Sequence, residues 1–236
     1  KLVLGTPAWP GSLGEYFVIP QGSVFKVPEH LSVDQATMIE PMAVAVHAAK
    51  RAQLQAEESV LILGGGSIGH VTAAMSQVRG ASPIIVADIK QHCLDNIRKM
   101  GATHTILVGQ QPIAETVMEI TDGKGVNVVF LTVGVGEQFA DAFASVRKQG
   151  RIVVIALYKA PTMIHPYDIV KRDIDVRGSI MSNDEDVHEA LELIASGKVD
   201  VEPMVTHHLP IEQAQRAFEL VASKDDGAVK VVLDFD

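Results

Sequence analysis

From residue 58 onward, short apolar runs alternate with segments whose apolar positions recur at helical spacing. "SVLILGG", "PIIVAD", "HTILV", "VNVVFLTVG", "RIVVIAL" and "DIDVRGSI" read as six strands. Most are apolar without alternation, the pattern of strands buried on both faces. "SIGHVTAAMSQVRG", "QHCLDNIRKMGA", "IAETVMEITDG" and "EQFADAFASVRKQG" read as the helices between them, the first two stopped by Gly80 and Gly101. The alternation predicts an α/β fold with a parallel six-stranded sheet covered on both sides. The ends have another texture. "EYFVIP" and "SVFKVP" look like strands closed by prolines, and residues 184 to 236 hold two amphipathic helices and a closing strand, "AVKVVLDF".

One polar position interrupts an apolar run. In "DQATMIEPMAVAVHAAKR", Glu40 stands among Met38, Ile39 and Met42 and is followed by Pro41. Read as a buried segment, this places a carboxylate where it needs a partner, a proton or a metal. The alternative is a helix-start carboxylate facing the helix dipole; Pro41 suits the first turn of a helix.

The 236 residues are 47% hydrophobic, enough for one large domain or two small ones. A net charge of −9 without basic runs excludes a phosphate-backbone reader of nucleic acid. No apolar run approaches the roughly 20 residues of a membrane span, and the start lacks a secretory pattern. The single cysteine, Cys93, excludes an internal disulfide and a multi-thiolate zinc site within these residues. These features predict a cytoplasmic protein. A first residue Lys1 rather than Met reads as a piece of something longer.

The sharpest chemistry lies in "LILGGGSIGHV". Gly64, Gly66 and Gly69 form G-x-G-x-x-G between a strand and a helix, with Ser67 and Ile68 inside it. The first glycine permits the turn, the second lets a pyrophosphate approach, and the third lets helix pack on strand. Asp88 ends the second strand, 24 residues after Gly64, where an acid holds ribose hydroxyls. An acid there repels a 2′-phosphate, which favours NAD over NADP. A glycine-rich packing turn beside a surface Asp shares the pattern. So does a methyltransferase, whose loop normally lacks the third glycine.

The ordered set "GEYFVIP", "ATMIEPMAVAVHAAKR", "VLILGGGSIG", "VADIK", "TVGVGE", "QGRIVVIAL", "VRGSI" and "THHLPIEQAQRAFELV" resembles the medium-chain dehydrogenase/reductase family. Within it the chain is similar to zinc-dependent polyol, butanediol and threonine dehydrogenases, over essentially its whole length. The resemblance implies a Rossmann NAD-binding domain at 43–183. It is flanked by remnants of a GroES-like catalytic domain, its C-terminal part at 1–42 and a returning segment at 184–236. It implies that Glu40-Pro41 faces a catalytic zinc, as ligand or through water. Val133 and Gly134 would stand beside the nicotinamide, with Ile155, Leu157, Ile180 and Met181 lining its other side. It implies hydride transfer between a secondary alcohol and NAD, a small alcohol or polyol substrate, and a homodimer or homotetramer paired near "DVRGSI". The family's cysteine and His-Glu zinc ligands are absent, so the chain alone is expected to bind nucleotide without turnover. A zinc-free NAD(P)H reductase of the superfamily and a non-catalytic NAD(H)-sensing module are the alternatives.

The chain departs from the family at several positions. Cys93 stands where a basic residue is common five positions after the ribose acid, so Lys90 is expected to serve. Met181 replaces an arginine that polyol dehydrogenases tend to carry. His207-His208 on a strand point to opposite faces and make a poor chelate. His47 lies seven residues beyond Glu40, on roughly the same helical face. Cys93 reads as a packing thiol, and "SNDED" as a helix cap rather than a calcium loop.

Overall fold

The computed structural model describes Gly5, residues 11–223 and residues 225–235. The predicted apolar runs become β1 (Val60–Leu63), β2 (Ile84–Asp88), β3 (His104–Leu107), β4 (Val126–Leu131), β5 (Val146–Val154) and β6 (Asp175–Gly178). They form one parallel sheet in the order β3-β2-β1-β4-β5-β6, the doubly wound Rossmann order. The helices are α1 (Val33–Thr37), α2 (Ile39–Ala52), α3 (Ser67–Val78), α4 (Gln91–Ile97), α5 (Ile113–Ile120), α6 (Gln138–Ser145), α7 (Pro166–Val170), α8 (Asp184–Ala195) and α9 (Ala214–Ser223). A second, two-stranded parallel sheet pairs β7 (Val205–Pro210) with β8 (Lys230–Asp234).

Alternation along each central strand divides the core into two layers. Val60 and Ile62 of β1, Ile84 and Val86 of β2, and Val128 and Phe130 of β4 pack with α2, α3, α4 and α8. Leu61, Leu63, Ile85, Ala87, Val129 and Leu131 pack on the other side with α5 and α6. Both faces are therefore dry, which explains why the strands read as unbroken apolar runs. Ala190, Leu193, Val201 and Met204 enter the same layer as α2, so the chain past residue 184 stays in contact with the sheet.

Register then creates the site. Leu63 pairs with Ala87 on one side and Leu131 on the other. The chain thus leaves β1, β2 and β4 at one edge, where the winding direction reverses between β1 and β4. Ligands of open α/β sheets bind at such an edge.

Two expectations change. The helix predicted over 137–150 ends at Ser145. Val146 is already extended and pairs with Val126, and the register jumps before Val128 meets Arg151. Pairing a β-branched residue with the neighbouring strand outweighs the helical spacing there. The two segments predicted as strands near residues 15–28 form no ladder among the described residues. Val24 is extended, and Tyr16, Phe17 and Val18 are exposed. A strand needs a neighbour for its backbone groups as well as β-prone side chains, and none lies alongside among the described residues.

Candidate functional site

Glycine is required twice in the loop from β1 to α3. Gly64 has φ +113°, and a Cβ there would stand 2.4 Å from Val133 Cγ2 and 2.5 Å from Thr132 Oγ1. A Cβ on Gly69 would stand 2.0 Å from the Gly64 carbonyl oxygen. The third glycine is thus the condition for α3 to start against β1. Thr132 braces the same turn, its hydroxyl lying 2.9 Å from both the Leu63 and the Gly64 carbonyl oxygens. Sequence reading missed Thr132; its signal is a lone hydroxyl directly after an apolar strand.

Gly66 caps α3 without any side-chain bond, and the first turn carries no acidic residue. Its N–H groups therefore have no anion of the chain's own, which is the condition for binding an external phosphate. Ser67 is turned elsewhere: its hydroxyl donates to the Val229 carbonyl at 2.5 Å, tying α3 to the segment before β8. Ile68 is half-buried. His70 is fully buried, and its Nδ1 lies 3.0 Å from the Gly66 carbonyl oxygen. Burial holds this imidazole below its ordinary value, against the opposing pull of the Gly66 and Gly65 carbonyls and Asp88.

Asp88 stands at the tip of β2 as predicted. It is buried and accepts from the Gly65 N–H at 2.6 Å and the Lys90 N–H at 2.8 Å. The residue expected to hold the ribose is therefore a brace that fixes the glycine loop. Lys90 is half-buried at the cap of α4. Cys93 is buried beneath the loop; a Cβ on Gly65 would lie 3.4 Å from the Cys93 Cβ. It is a packing residue of the cradle.

A cleft of about 210 Å³ opens over this edge, walled by Gly64, Asp88, Ile89, Val133, Val135 and Asp141 among others. A second, of about 410 Å³, is walled by Gly134, Leu157, Tyr158, Lys159 and Thr162 among others. The exits of β4 and β5 touch: a Cβ on Gly134 would lie 2.5 Å from the Leu157 carbonyl oxygen. Ile155 packs against the core, its N–H bonded to the Leu131 carbonyl at 3.0 Å. Ile180 and Met181 follow β6, both exposed, Met181 at φ +55°, and line neither cleft.

Glu40 corrects the reading of a buried carboxylate. It is exposed in the first turn of α2, although Met38, Ile39, Pro41 and Met42 around it are buried. Helical rotation of about 100° per residue turns those neighbours inward and leaves position 40 outside. Among the described residues no three His, Cys, Asp or Glu side chains stand together as a metal-binding group. His47 does not turn to Glu40. Its Nδ1 lies 2.8 Å from Asp186 of α8, which also accepts from Lys50 at 2.8 Å. Asn183 and Asp186 form the predicted cap of α8, each side chain accepting from the other's N–H. His208 lies 3.1 Å from Asp34 and 3.2 Å from Asp234. The bond to Asp234 and the charge of Asp34 outweigh slight burial and hold it above the ordinary histidine value.

The zinc-binding dehydrogenase family model matches residues 67–196. The chain is 34% identical to the sorbitol dehydrogenase of Bacillus subtilis (strain 168) over 233 residues, 98% of this chain and 65% of that protein. It is 32% identical to the L-threonine 3-dehydrogenase of Colwellia psychrerythraea over 227 residues, 95% of this chain and 65% of that protein. The chain thus spans 65% of the length of these two curated relatives. The solved alcohol dehydrogenase of Thermus sp. ATN1 superposes with a TM-score of 0.90 at 28% identity, covering 97% of this chain and 66% of that one. No helix among the described residues is long and apolar enough to cross a membrane.

Proposed function

Because the chain belongs to the zinc-binding dehydrogenase family, we propose that it is the NAD-binding part of an alcohol or polyol dehydrogenase that moves hydride between a secondary alcohol and nicotinamide. The observation that carries this reading is the glycine loop at the sheet's reversal point, braced by the buried carboxylate of Asp88.

The loop meets the shape a dinucleotide requires. Its first and third glycines leave no room for side chains against Val133, Thr132 and the Gly64 carbonyl, which holds the turn's shape, and α3 offers uncapped N–H groups to a pyrophosphate. Asp88 is set to accept from ribose hydroxyls, and its charge disfavours a 2′-phosphate. NAD is therefore the cofactor we assign, with Lys90 beside the ribose. A bound nicotinamide supplies the hydride acceptor. Val133 and Gly134 would hold one face of it, with Leu157 at the neighbouring cleft and, by the family resemblance alone, Ile155, Ile180 and Met181 toward the other. Residues 43–183 form the nucleotide domain in this reading, while 1–42 and 184–236 belong with the catalytic domain. Subunits would pair along β6, where Val176 and the nearby Val170 are exposed.

The residues present do not make a zinc centre, since Glu40 has no companion donors among those described. We assign Glu40 to the zinc-facing position of the complete enzyme, directly or through water, with the other donors lying outside the described residues.

Titration with reduced dinucleotide tests the reading. NADH is expected to bind at least about tenfold more tightly than NADPH, with no alcohol turnover by this chain alone. Asp88→Asn is expected to weaken NADH about tenfold and to erase the preference, the scale of one charge-assisted bond. Equal affinity for NADPH in the parent chain would favour the zinc-free reductase instead. NADH binding without turnover in a full-length enzyme would favour the sensing module.

A further inference from the structure

Three polar side chains of α3 are buried: His70, Thr72 and Ser76. Each reaches back four residues to a backbone carbonyl. Thr72 donates to Ile68 at 2.7 Å, Ser76 donates to Thr72 at 2.7 Å, and His70 Nδ1 lies 3.0 Å from the Gly66 oxygen. The imidazole alone keeps a second polar atom, and that atom, Nε2, has no hydrogen-bond partner among the described residues. A carbonyl only accepts, so the ring proton sits on Nδ1 and Nε2 is a bare acceptor in a dry place. An unpaired buried acceptor costs stability. What the ring adds over a leucine of similar size is its bond to Gly66. That carbonyl also accepts the His70 backbone N–H at 2.9 Å, so both its lone pairs are occupied. It shares a peptide with the Ser67 N–H, at the start of α3, where no side chain caps the helix. Two donors on the oxygen hold that peptide plane, and polarising its C=O strengthens the N–H at its other end.

We propose that His70 is a positioning residue for the dinucleotide: through Nδ1 it fixes and polarises the Gly66–Ser67 peptide, whose N–H serves the pyrophosphate. This rests on the dinucleotide reading above. The glycines give the turn its shape, and His70 sets the direction and strength of one of its donors. Burial above all holds the ring below the ordinary histidine value, so near neutral pH it acts as an uncharged donor and not as a cation. The bare Nε2 is the stability cost of that arrangement.

Two substitutions separate the bond from the volume. His70→Leu keeps the volume, removes the bare acceptor and leaves Gly66 its backbone donor. By nicotinamide fluorescence it is expected to bind NADH about fivefold more weakly, the scale of one neutral hydrogen bond, while its urea midpoint stays at or above the parent's. His70→Asn offers an amide N–H near the place of Nδ1 but leaves part of the ring's space empty. It is expected to bind NADH within about twofold of the parent while its midpoint falls. Dissociation constants report the folded fraction, so a loss of folded material lowers the amplitude and not the constant. Parent-like binding by His70→Leu would overturn the assignment. Equally weak binding by both variants would do so too, since the ring's shape and not its bond would then matter. A His70→Leu midpoint that falls together with affinity would mark a structural residue and overturn it as well. These three outcomes leave the dinucleotide reading standing, whereas failure of the parent to bind NADH removes that reading and this assignment together.

Discussion

Asp186→Ala is expected to lower the unfolding free energy of the chain by about 3 kcal/mol, the low end of the range for removing one partner of a buried ion pair. The carboxylate is 0% exposed and accepts from three directions: Lys50 at 2.8 Å, His47 at 2.8 Å and the Asn183 N–H at 3.0 Å. Lys50 also reaches Glu189 at 3.0 Å, which Arg79, the residue that caps the end of α3, meets in turn. Asp186 thus ties α8 to α2, and Glu189 extends the network to the end of α3. The low end applies because Lys50 is partly exposed and retains Glu189 when Asp186 is gone. For a chain of this length about 3 kcal/mol lowers Tm by about 6–12 °C. Urea unfolding should show the midpoint shift at an unchanged slope; a change below about 1 kcal/mol would sink the idea.

The pH dependence follows in sign. Burial works to raise the Asp186 carboxyl, but the bonds from Lys50, Asn183 and His47 outweigh it and hold the value below the ordinary one. The unfolded chain therefore takes up this proton first on acidification. The contribution is present above the ordinary carboxylate range and is lost as pH falls through the depressed value. For Lys50, burial works to lower the amine, while Asp186 and Glu189 raise it overall. Its contribution persists through neutral pH and is lost only as pH rises through the raised value. The parent chain's advantage over Asp186→Ala should accordingly be flat near neutrality and shrink in acid.

Gly69→Ala is expected to weaken NADH binding at least about 100-fold and to cost about 1–3 kcal/mol of stability, the scale of overpacking. The added Cβ would lie 2.0 Å from the Gly64 carbonyl oxygen and 3.0 Å from its carbon. Both are backbone atoms, so no side chain can turn aside. Either the loop or the start of α3 must shift, and the pyrophosphate loses its N–H groups in both cases. Gly64→Ala meets side-chain atoms of Val133 and Thr132 but also sits at φ +113°, so it too is expected to impair binding. Gly22→Ala, where a Cβ meets nothing within 4 Å, should bind as the parent does. Fluorescence titration of the three variants decides the matter, and tight NADH binding by Gly69→Ala would remove the loop from the site.

The local rules of the chain determined the strands, the glycine loop and Asp88. Strands buried on both faces must be apolar throughout, and a turn with φ +113° beside a helix that touches its carbonyl admits only glycine. These constraints act within a few residues, so they are written in adjacent letters. Tertiary structure decided what depends on helix phase or on distant partners. Glu40 sits among apolar neighbours in sequence, yet the turn of α2 puts it outside. His47 finds Asp186 139 residues away. β5 begins five residues early because Val146 has Val126 to pair with. Residues near 15–28 have strand-like side chains but no neighbouring strand among the described residues. Spacing along a chain fixes which residues are neighbours on one element; only the packing of elements fixes which of them face the same empty space.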